Sequence, residues 1–276
     1  MTRPIVLCTD YGLHDEFVGI CHGVIATIAP DARVIDLTHA VPRQDVFRGA
    51  VVLSRAIPFC PPDAVFCAIV DPGVGSERRA VALRTVAGPF LVGPDNGLLS
   101  PAWEVLGGVA AAHEVTADDV VRRPVSRTFH GRDVFAPVAA HLATGVPLER
   151  VGAQIDPSGL RSIDLPGPMV TPGAVGGRVT AIDGFGNVQL NVTMEHLAAA
   201  GIGDRLSIGS ARLPLVGIFA DLPDHALGAI VDSQGYVALV VNRGNAAEAL
   251  HLVEGAAVVI ESGDDLQPPR GHLYPV

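Results

Sequence analysis

The sequence predicts an α/β protein: an N-terminal α/β domain with a mostly parallel sheet, followed by a smaller C-terminal β-barrel domain. Three observations lead there. Up to residue 164, short apolar runs alternate with stretches whose apolar residues recur at three- and four-residue steps. Several of those runs end in a polar cluster, as buried strands do at a ligand-facing edge. Beyond residue 177 the helical period fades, and strand-like runs follow one another with turn residues between them.

Taken in order, PIVLCTD is a short apolar run closed by polar residues, the pattern of a buried parallel strand. Phe17, Ile20, Val24, Ile25 and Ile28 then mark one face of a helix that Pro30 stops. RVIDLTH is a second strand. DVFRGAVVLSRAI is a second helix, with Asp45 as its N-cap and a break at Pro58. AVFCAIVDPG is a third strand and delivers Asp71 at its carboxyl end; RAVALRTV and PFLVGPDNG are two more. GRDVFAPVAAHLATG, residues 131–145, reads as a helix with Pro137 near its start. LPGPMVTPGAVGG holds three prolines and four glycines with no helical period, so residues 165–177 are read as a linker between domains at 1–164 and 178–276. In the second domain RVTAIDGFGNVQLNV, RLSIG, GAIVDSQGYVALVVN and AAVVIES are strand-like, and MEHLAAAG is a short helix. The tail after Gly263, with QPPRGHLYPV, is expected to pack loosely.

Composition narrows the function classes. Hydrophobic residues make up 49% of the 276 and charged residues 17%, which describes a well-cored globular chain. A formal charge of −10 argues against nucleic acid as the main partner, because phosphate backbones need basic patches. MTRPIVLCTDYG offers too short an apolar stretch for a signal-peptide core, and charges, Gly or Pro interrupt every candidate membrane span. Cys8, Cys21, Cys60 and Cys67 form no C-x-x-C pair, and three of them sit in apolar runs, the pattern of buried free thiols. A soluble cytoplasmic protein is the expectation.

Polar clusters at strand ends and one helix start bring candidate chemistry together: Asp10, Asp36, His39, Asp71, Arg78, Asp95, Asn96, His130 and Asp133 are expected to face one crevice. Three site types compete. VDPGVGSERR lacks both G-x-G-x-x-G and the Walker pattern, which weakens a phosphate cradle, although Gly73 and Gly75 allow close backbone approach. Asp36, His39, Asp71, His130 and Asp133 include hard-metal ligands, yet no H-x-x-x-H, H-x-H or H-E-x-x-H spacing occurs. The third type is a nucleophilic water held by Asp71, Arg78 and His130, where a carboxylate, a charge-assisted donor and an imidazole tuned near neutrality meet.

TDYG, DLTH, VDPGVGSERR, PDNG, TFHGRDVFAPVAAHLA and, in the second domain, AIDGFGNVQLN together resemble the adenosine-forming S-adenosylmethionine (SAM) hydrolases, or SAM hydroxide adenosyltransferases, relatives of the fluorinase and chlorinase. The resemblance runs in order along nearly the whole chain. It implies displacement at the ribose 5′ carbon by water or hydroxide, giving adenosine and L-methionine. It places a water-activating triad at Asp71, Arg78 and His130. It implies SAM contacts at Asp10 with the ribose hydroxyls, Asp183 with the methionine ammonium, Asn187 and Asn242 on the adenine side, Phe185 and Phe219 against the adenosine, and Ser233 near the methionine end. Gln234 stands where the fluorinase has an arginine for the substrate carboxylate. A homotrimer with SAM between the N-terminal domain of one protomer and the C-terminal domain of its neighbour is implied as well. No metal and no cofactor beyond the substrate SAM are expected, and neither nucleic acid nor membrane is a partner. The alternatives are a SAM-dependent halogenase, in whose family the triad positions are replaced, and a SAM-binding sensor without turnover.

Overall fold

A computed structural model describes residues 2–263, so the tail beyond Gly263 lies outside the described residues. The chain divides into two compact units between Leu165 and Pro166. The first contains strands β1 (Ile5–Thr9), β2 (Val34–Thr38), β3 (Val65–Ile69), β4 (Ala80–Thr85), β5 (Phe90–Pro94), β6 (Val109–Glu114) and β7 (Gln154–Ile155). Its helices are α1 (Phe17–Ile28), α2 (Val46–Ala56), α3 (Ser100–Val105) and α4 (Ala136–Ala143). The strands form one sheet in the order β2-β1-β3-β5-β4-β6-β7. β2, β1, β3 and β5 run parallel, while β4, β6 and β7 extend the sheet antiparallel.

Alternate residues of β1 explain why its run is continuously apolar. Ile5 and Leu7 join the core under α1 and α4, and Val6 and Cys8 join the core under α2 and α3. α2 starts where Asp45 accepts the Arg48 backbone N–H at 2.8 Å, the expected N-cap. α1 is turned from the predicted stripe: Val18, Cys21 and Ile25 are its buried residues, and Phe17 is 39% exposed. The small Cys21 faces the sheet, and Phe17 instead meets the rings of Tyr11 and Phe129. The helix expected over 131–145 is present, but its first turn, Gly131–Phe135, is π-helical. Pro137 has no N–H to give the Asp133 carbonyl, which accepts the Arg122 N–H at 2.7 Å instead. α3 and β6 carry weak sequence signals: α3 spans only six residues and begins Ser-Pro, and β6 is alanine-rich, a composition depleted in strands.

The second unit holds β8 (Met169–Thr171), β9 (Ala174–Ile182), β10 (Val188–Thr193), β11 (Arg205–Ile208), β12 (Ala211–Pro214), β13 (Leu227–Val231), β14 (Tyr236–Val241) and β15 (Ala257–Ser262), with α5 (Met194–Ala199) and α6 (Ala246–Leu250). Its sheet runs β12-β11-β15-β9-β10-β14-β13, antiparallel throughout, with β8 paired to β9. The edges β12 and β13 approach each other: Leu215 bridges Ala229, and the Val216 N–H reaches the Ala229 carbonyl at 2.9 Å. The sheet is thus a nearly closed barrel, and Val175, Val179, Val188, Leu190, Val192 and Leu239 fill it. The stretch read as a linker is largely strand. Met169–Thr171 and Ala174–Ile182 pair across a turn at Gly173 (φ +82°), so its Pro and Gly residues shape a hairpin.

Candidate active site

The ten residues after β3 are folded by their own polar groups. The Ser76 hydroxyl donates to the Gly73 carbonyl at 2.6 Å and accepts the Arg78 N–H at 3.3 Å. That turn reverses the chain and returns the Arg78 side chain to Asp71. Nε of Arg78 donates to Asp71 Oδ1 at 2.8 Å, and Nη2 donates to Oδ2, a two-pronged pair. Both side chains are nearly sealed from solvent, at 8% and 6% exposure. Gly75 is fixed by position: its φ is +76°, and a Cβ there would lie 2.2 Å from the Arg127 carbonyl oxygen. This close approach docks the loop on the segment that leads to His130.

His130 sits at the start of the π-helical turn, and Arg78 Nη2 lies 2.7 Å from its Nδ1. A guanidinium has donors only, so Nδ1 must accept, and the neutral ring carries its proton on Nε2. Burial, and then the Arg78 charge, lower the His130 pKa from 6.5 against the opposing pull of Asp71 and Asp133. Phe135 packs beneath the cluster, with the Arg78 guanidinium 5.2 Å from its ring centre and the His130 ring at 6.5 Å. Three of the residues expected to form a water site are therefore in one hydrogen-bonded chain.

Other candidates at this edge are occupied structurally. Arg79 pairs with Asp95 at 2.6–2.9 Å, and Asp95 also accepts the Arg161 N–H at 2.8 Å. Asn96 donates to the Val70 carbonyl at 2.8 Å, steadying the backbone just before Asp71. Asp133 is fully buried; burial pushes its carboxyl upward, but hydrogen bonds from Arg132 and the Ser126 N–H outweigh this and hold it below the ordinary range. Asp10, at the end of β1, accepts the Gln44 N–H at 2.8 Å. Beside it Tyr11, Phe17 and Phe129 form an aromatic cluster with ring centres 5.2–5.9 Å apart. Tyr11 packs its hydroxyl so close to Gly131 that a Cβ there would be 2.2 Å away. No spacing in the sequence joins these rings; Tyr11 within TDYG and Phe129 within TFHGRD are the available signals.

In the second unit Phe185, Asn187, Phe219 and Asn242 line a cavity of about 560 Å³ with Val241, Arg243 and Gly244. Phe185 is 80% exposed and Phe219 41%, so two aromatic faces stand uncovered. Asp183 accepts the N–H groups of Phe185 and Asn187 and the Asn187 side-chain amide, at 2.8–2.9 Å, which shapes the turn carrying both cavity residues. Asn242 donates to the Leu222 carbonyl at 2.8 Å. Ser233 lies outside this lining, in the exposed turn between β13 and β14 beside Gln234. Asp232 holds that turn by accepting the N–H groups of Gln234 and Tyr236, while its Oδ2 is buried without a hydrogen bond.

Asp36 and His39 do not join Asp71. They meet His22 of α1, and the three ligand atoms lie within 4.8 Å of one another, the only such group of His, Cys, Asp or Glu among the described residues. No pattern in the sequence ties His22 to DLTH; α1 packing beside β2 brings it there. Among the described residues, no helix is long and apolar enough to cross a membrane.

Both units resemble known proteins. Residues 5–152 match the SAM hydroxide adenosyltransferase N-terminal domain, and residues 177–259 match the SAM hydroxide adenosyltransferase C-terminal domain. An (R)-S-adenosyl-L-methionine hydrolase of Salinispora arenicola is 49% identical over 266 residues, spanning 95% of this chain and 99% of the relative. A fluorinase of Actinopolyspora mzabensis is 31% identical over 290 residues, spanning 93% and 97%. A crystal structure of an uncharacterized conserved protein from Thermotoga maritima superposes with a TM-score of 0.86 at 36% identity, covering 93% of this chain and 99% of that one.

Proposed function

The chain belongs to the SAM hydroxide adenosyltransferase family, and on that premise we propose that it hydrolyses SAM to adenosine and L-methionine by attack of a held water or hydroxide on ribose C5′. The observation that carries the reading is the chain of hydrogen bonds Asp71–Arg78–His130.

The reaction asks little acid chemistry of the protein. A sulfonium leaves as a neutral thioether, so nothing need protonate sulfur, and the attacking water releases one proton to solvent. What remains is to hold an oxygen in line with the S–C5′ bond and favour its hydroxide form. Arg78 supplies positive charge in a site where little solvent screens it. Asp71 fixes the guanidinium through both of its oxygens. His130, kept neutral by burial and by Arg78, presents Nε2–H as a donor to that oxygen. On this reading the three side chains bind a developing hydroxide through donors and positive charge, and they favour water over a halide.

Asp10 takes the ribose hydroxyls, a vicinal diol suited to a carboxylate. Phe185, Phe219, Asn187 and Asn242 take the adenosine, which the uncovered rings around the 560 Å³ cavity support. Asp183 serves the methionine ammonium and Ser233 the same end of the substrate. The family resemblance adds a homotrimer with SAM between neighbouring protomers, to be checked by light scattering. A cytoplasmic place of action belongs to the same reading.

Incubation with SAM in heavy-oxygen water, followed by mass spectrometry, tests the proposal. Label in the adenosine 5′ oxygen with release of methionine is expected. A 5′-halo-adenosine as main product in chloride or fluoride overturns it in favour of a halogenase, and intact SAM after hours in favour of a sensor.

A further inference from the structure

We propose that His22, Asp36 and His39 form a binding site for a divalent transition-metal ion of the zinc class, separate from the Asp71–Arg78–His130 cluster. Both imidazoles direct Nε2 at one carboxylate oxygen: His22 lies 2.8 Å and His39 3.0 Å from Asp36 Oδ1. The His39 side chain is only 3% exposed, and its Nε2, 3.0 Å from Asp36 Oδ1, makes no well-formed hydrogen bond. A buried, unpartnered ring nitrogen aimed into a cluster of donors is a costly arrangement for the protein alone.

The other face of that ring explains what the cluster lacks. His39 Nδ1 lies 2.9 Å from the Thr9 hydroxyl oxygen, which also accepts the Tyr11 N–H at 3.2 Å. In the tautomer whose Nδ1 proton goes to Thr9, Nε2 presents a lone pair to a carboxylate oxygen 3.0 Å away; in the other, the Thr9 hydroxyl donates to Nδ1 and Nε2 keeps the proton. In the first tautomer, two electron-rich atoms held that close need positive charge between them. An imidazole oriented through its other nitrogen is the usual second contact of a metal ligand. Two imidazole nitrogens and one carboxylate oxygen are the donors of zinc-class sites, leaving a position for water. Metal–ligand distances of about 2.0–2.2 Å place tetrahedral ligands roughly 3.4 Å apart. A spread within 4.8 Å reaches that by small movements of the partly exposed His22 and Asp36 side chains.

The site's place in the fold gives it a purpose. His22 comes from α1, Asp36 from β2, and the His39 carbonyl accepts the Gly12 N–H at 2.7 Å. An ion here ties α1 to the loop that carries Asp10, bracing one wall of the proposed substrate site without entering the reaction.

The competing arrangement is a proton on His39 Nε2 that faces Asp36, and metal titration separates the two. The full chain, freed of metal with a chelator, is titrated with cobalt chloride and followed by visible absorption, then with zinc chloride by calorimetry. About one ion per chain, cobalt d–d bands and a Tm that rises with metal concentration are expected. His22→Ala, on the outer side of α1, and Asp36→Asn should each weaken binding by at least about tenfold, with circular dichroism confirming the fold. Absence of cobalt bands and of zinc heat overturns the site in favour of the proton. Binding unchanged in both variants, or lost instead in Asp71→Asn, places the ion elsewhere and overturns it equally.

Discussion

Replacing Arg78 with lysine keeps a positive charge beside Asp71 but removes the fork that reaches two partners at once. In the native site Arg78 makes two hydrogen bonds to Asp71 and one, at 2.7 Å, to His130 Nδ1. A lysine ammonium is a shorter point donor; it can satisfy Asp71 but not span to the imidazole as well. The Asp71 charge therefore stays paired, and the stability loss should be about 1.5–3 kcal/mol, that of one charge-assisted hydrogen bond, against about 3–5 kcal/mol for Arg78→Ala, which strands a buried carboxylate. The lost bond to His130 is a charge-assisted one, worth about 1.5–3 kcal/mol. If it is expressed fully in the transition state, kcat falls by about 10- to 160-fold, since each 1.36 kcal/mol is tenfold. KM should change little, because SAM itself does not touch this bond in the proposed mechanism. Adenosine release by chromatography gives kcat and KM, and urea unfolding gives stability. A lysine variant with kcat within about threefold of wild type refutes the bridging role of Arg78.

The His130 pKa lies below 6.5 in the fold, through burial first and the Arg78 charge second, so kcat/KM should fall on the acid side with an apparent pKa below 6.5. The protonated ring would turn a second donor on Arg78. The native state binds fewer protons than the unfolded chain there, so this group also costs stability as pH falls from 6.5 through its folded value; a profile whose acid limb survives in His130→Gln assigns it elsewhere. Gly75→Ala should lose at least about 2 kcal/mol, because a left-handed residue gains a Cβ that also meets the Arg127 carbonyl at 2.2 Å. Turnover should fall with it as Arg78 and His130 part, and wild-type adenosine release by a folded variant speaks against the docked loop. Burial raises Cys8 and Cys21 to about 12 and holds Cys67 well above the ordinary thiol range, while Cys60 is only half-buried, so a disulfide reagent should modify Cys60 first and the others on unfolding. A rapid native burst larger than a single thiol contradicts this.

Much of the first unit can be read in the sequence because local signals and tertiary demands agree. The β1 run is apolar throughout because both faces are covered, and Asp45 caps α2 by a bond three residues long. Where the two disagree, the reading misses. β6 is built of alanines that say little about strand, and the prolines and glycines of residues 165–177 suggest a linker where the fold uses them for a hairpin. The α1 stripe is displaced because the contact chosen by the sheet is the small Cys21, not the large Phe17.

The catalytic candidates divide along the same line. Residue type and motif were enough to single out Asp71, Arg78 and His130, because a carboxylate at a strand end, a glycine turn and an imidazole at a helix start are local features. Their hydrogen-bond order, the ring nitrogen that carries the His130 proton and the structural use of Arg79 depend on atoms 52 and 16 residues apart in sequence meeting within 3 Å. The same holds for His22 with Asp36 and His39, which no spacing links and only the packing of α1 beside β2 unites. Sequence determines which side chains stand at which strand or helix end, because those choices rest on backbone preference and burial. Only the tertiary structure decides which of them share a proton, a charge or an ion, because those interactions fall off within a few ångströms and ignore distance along the chain.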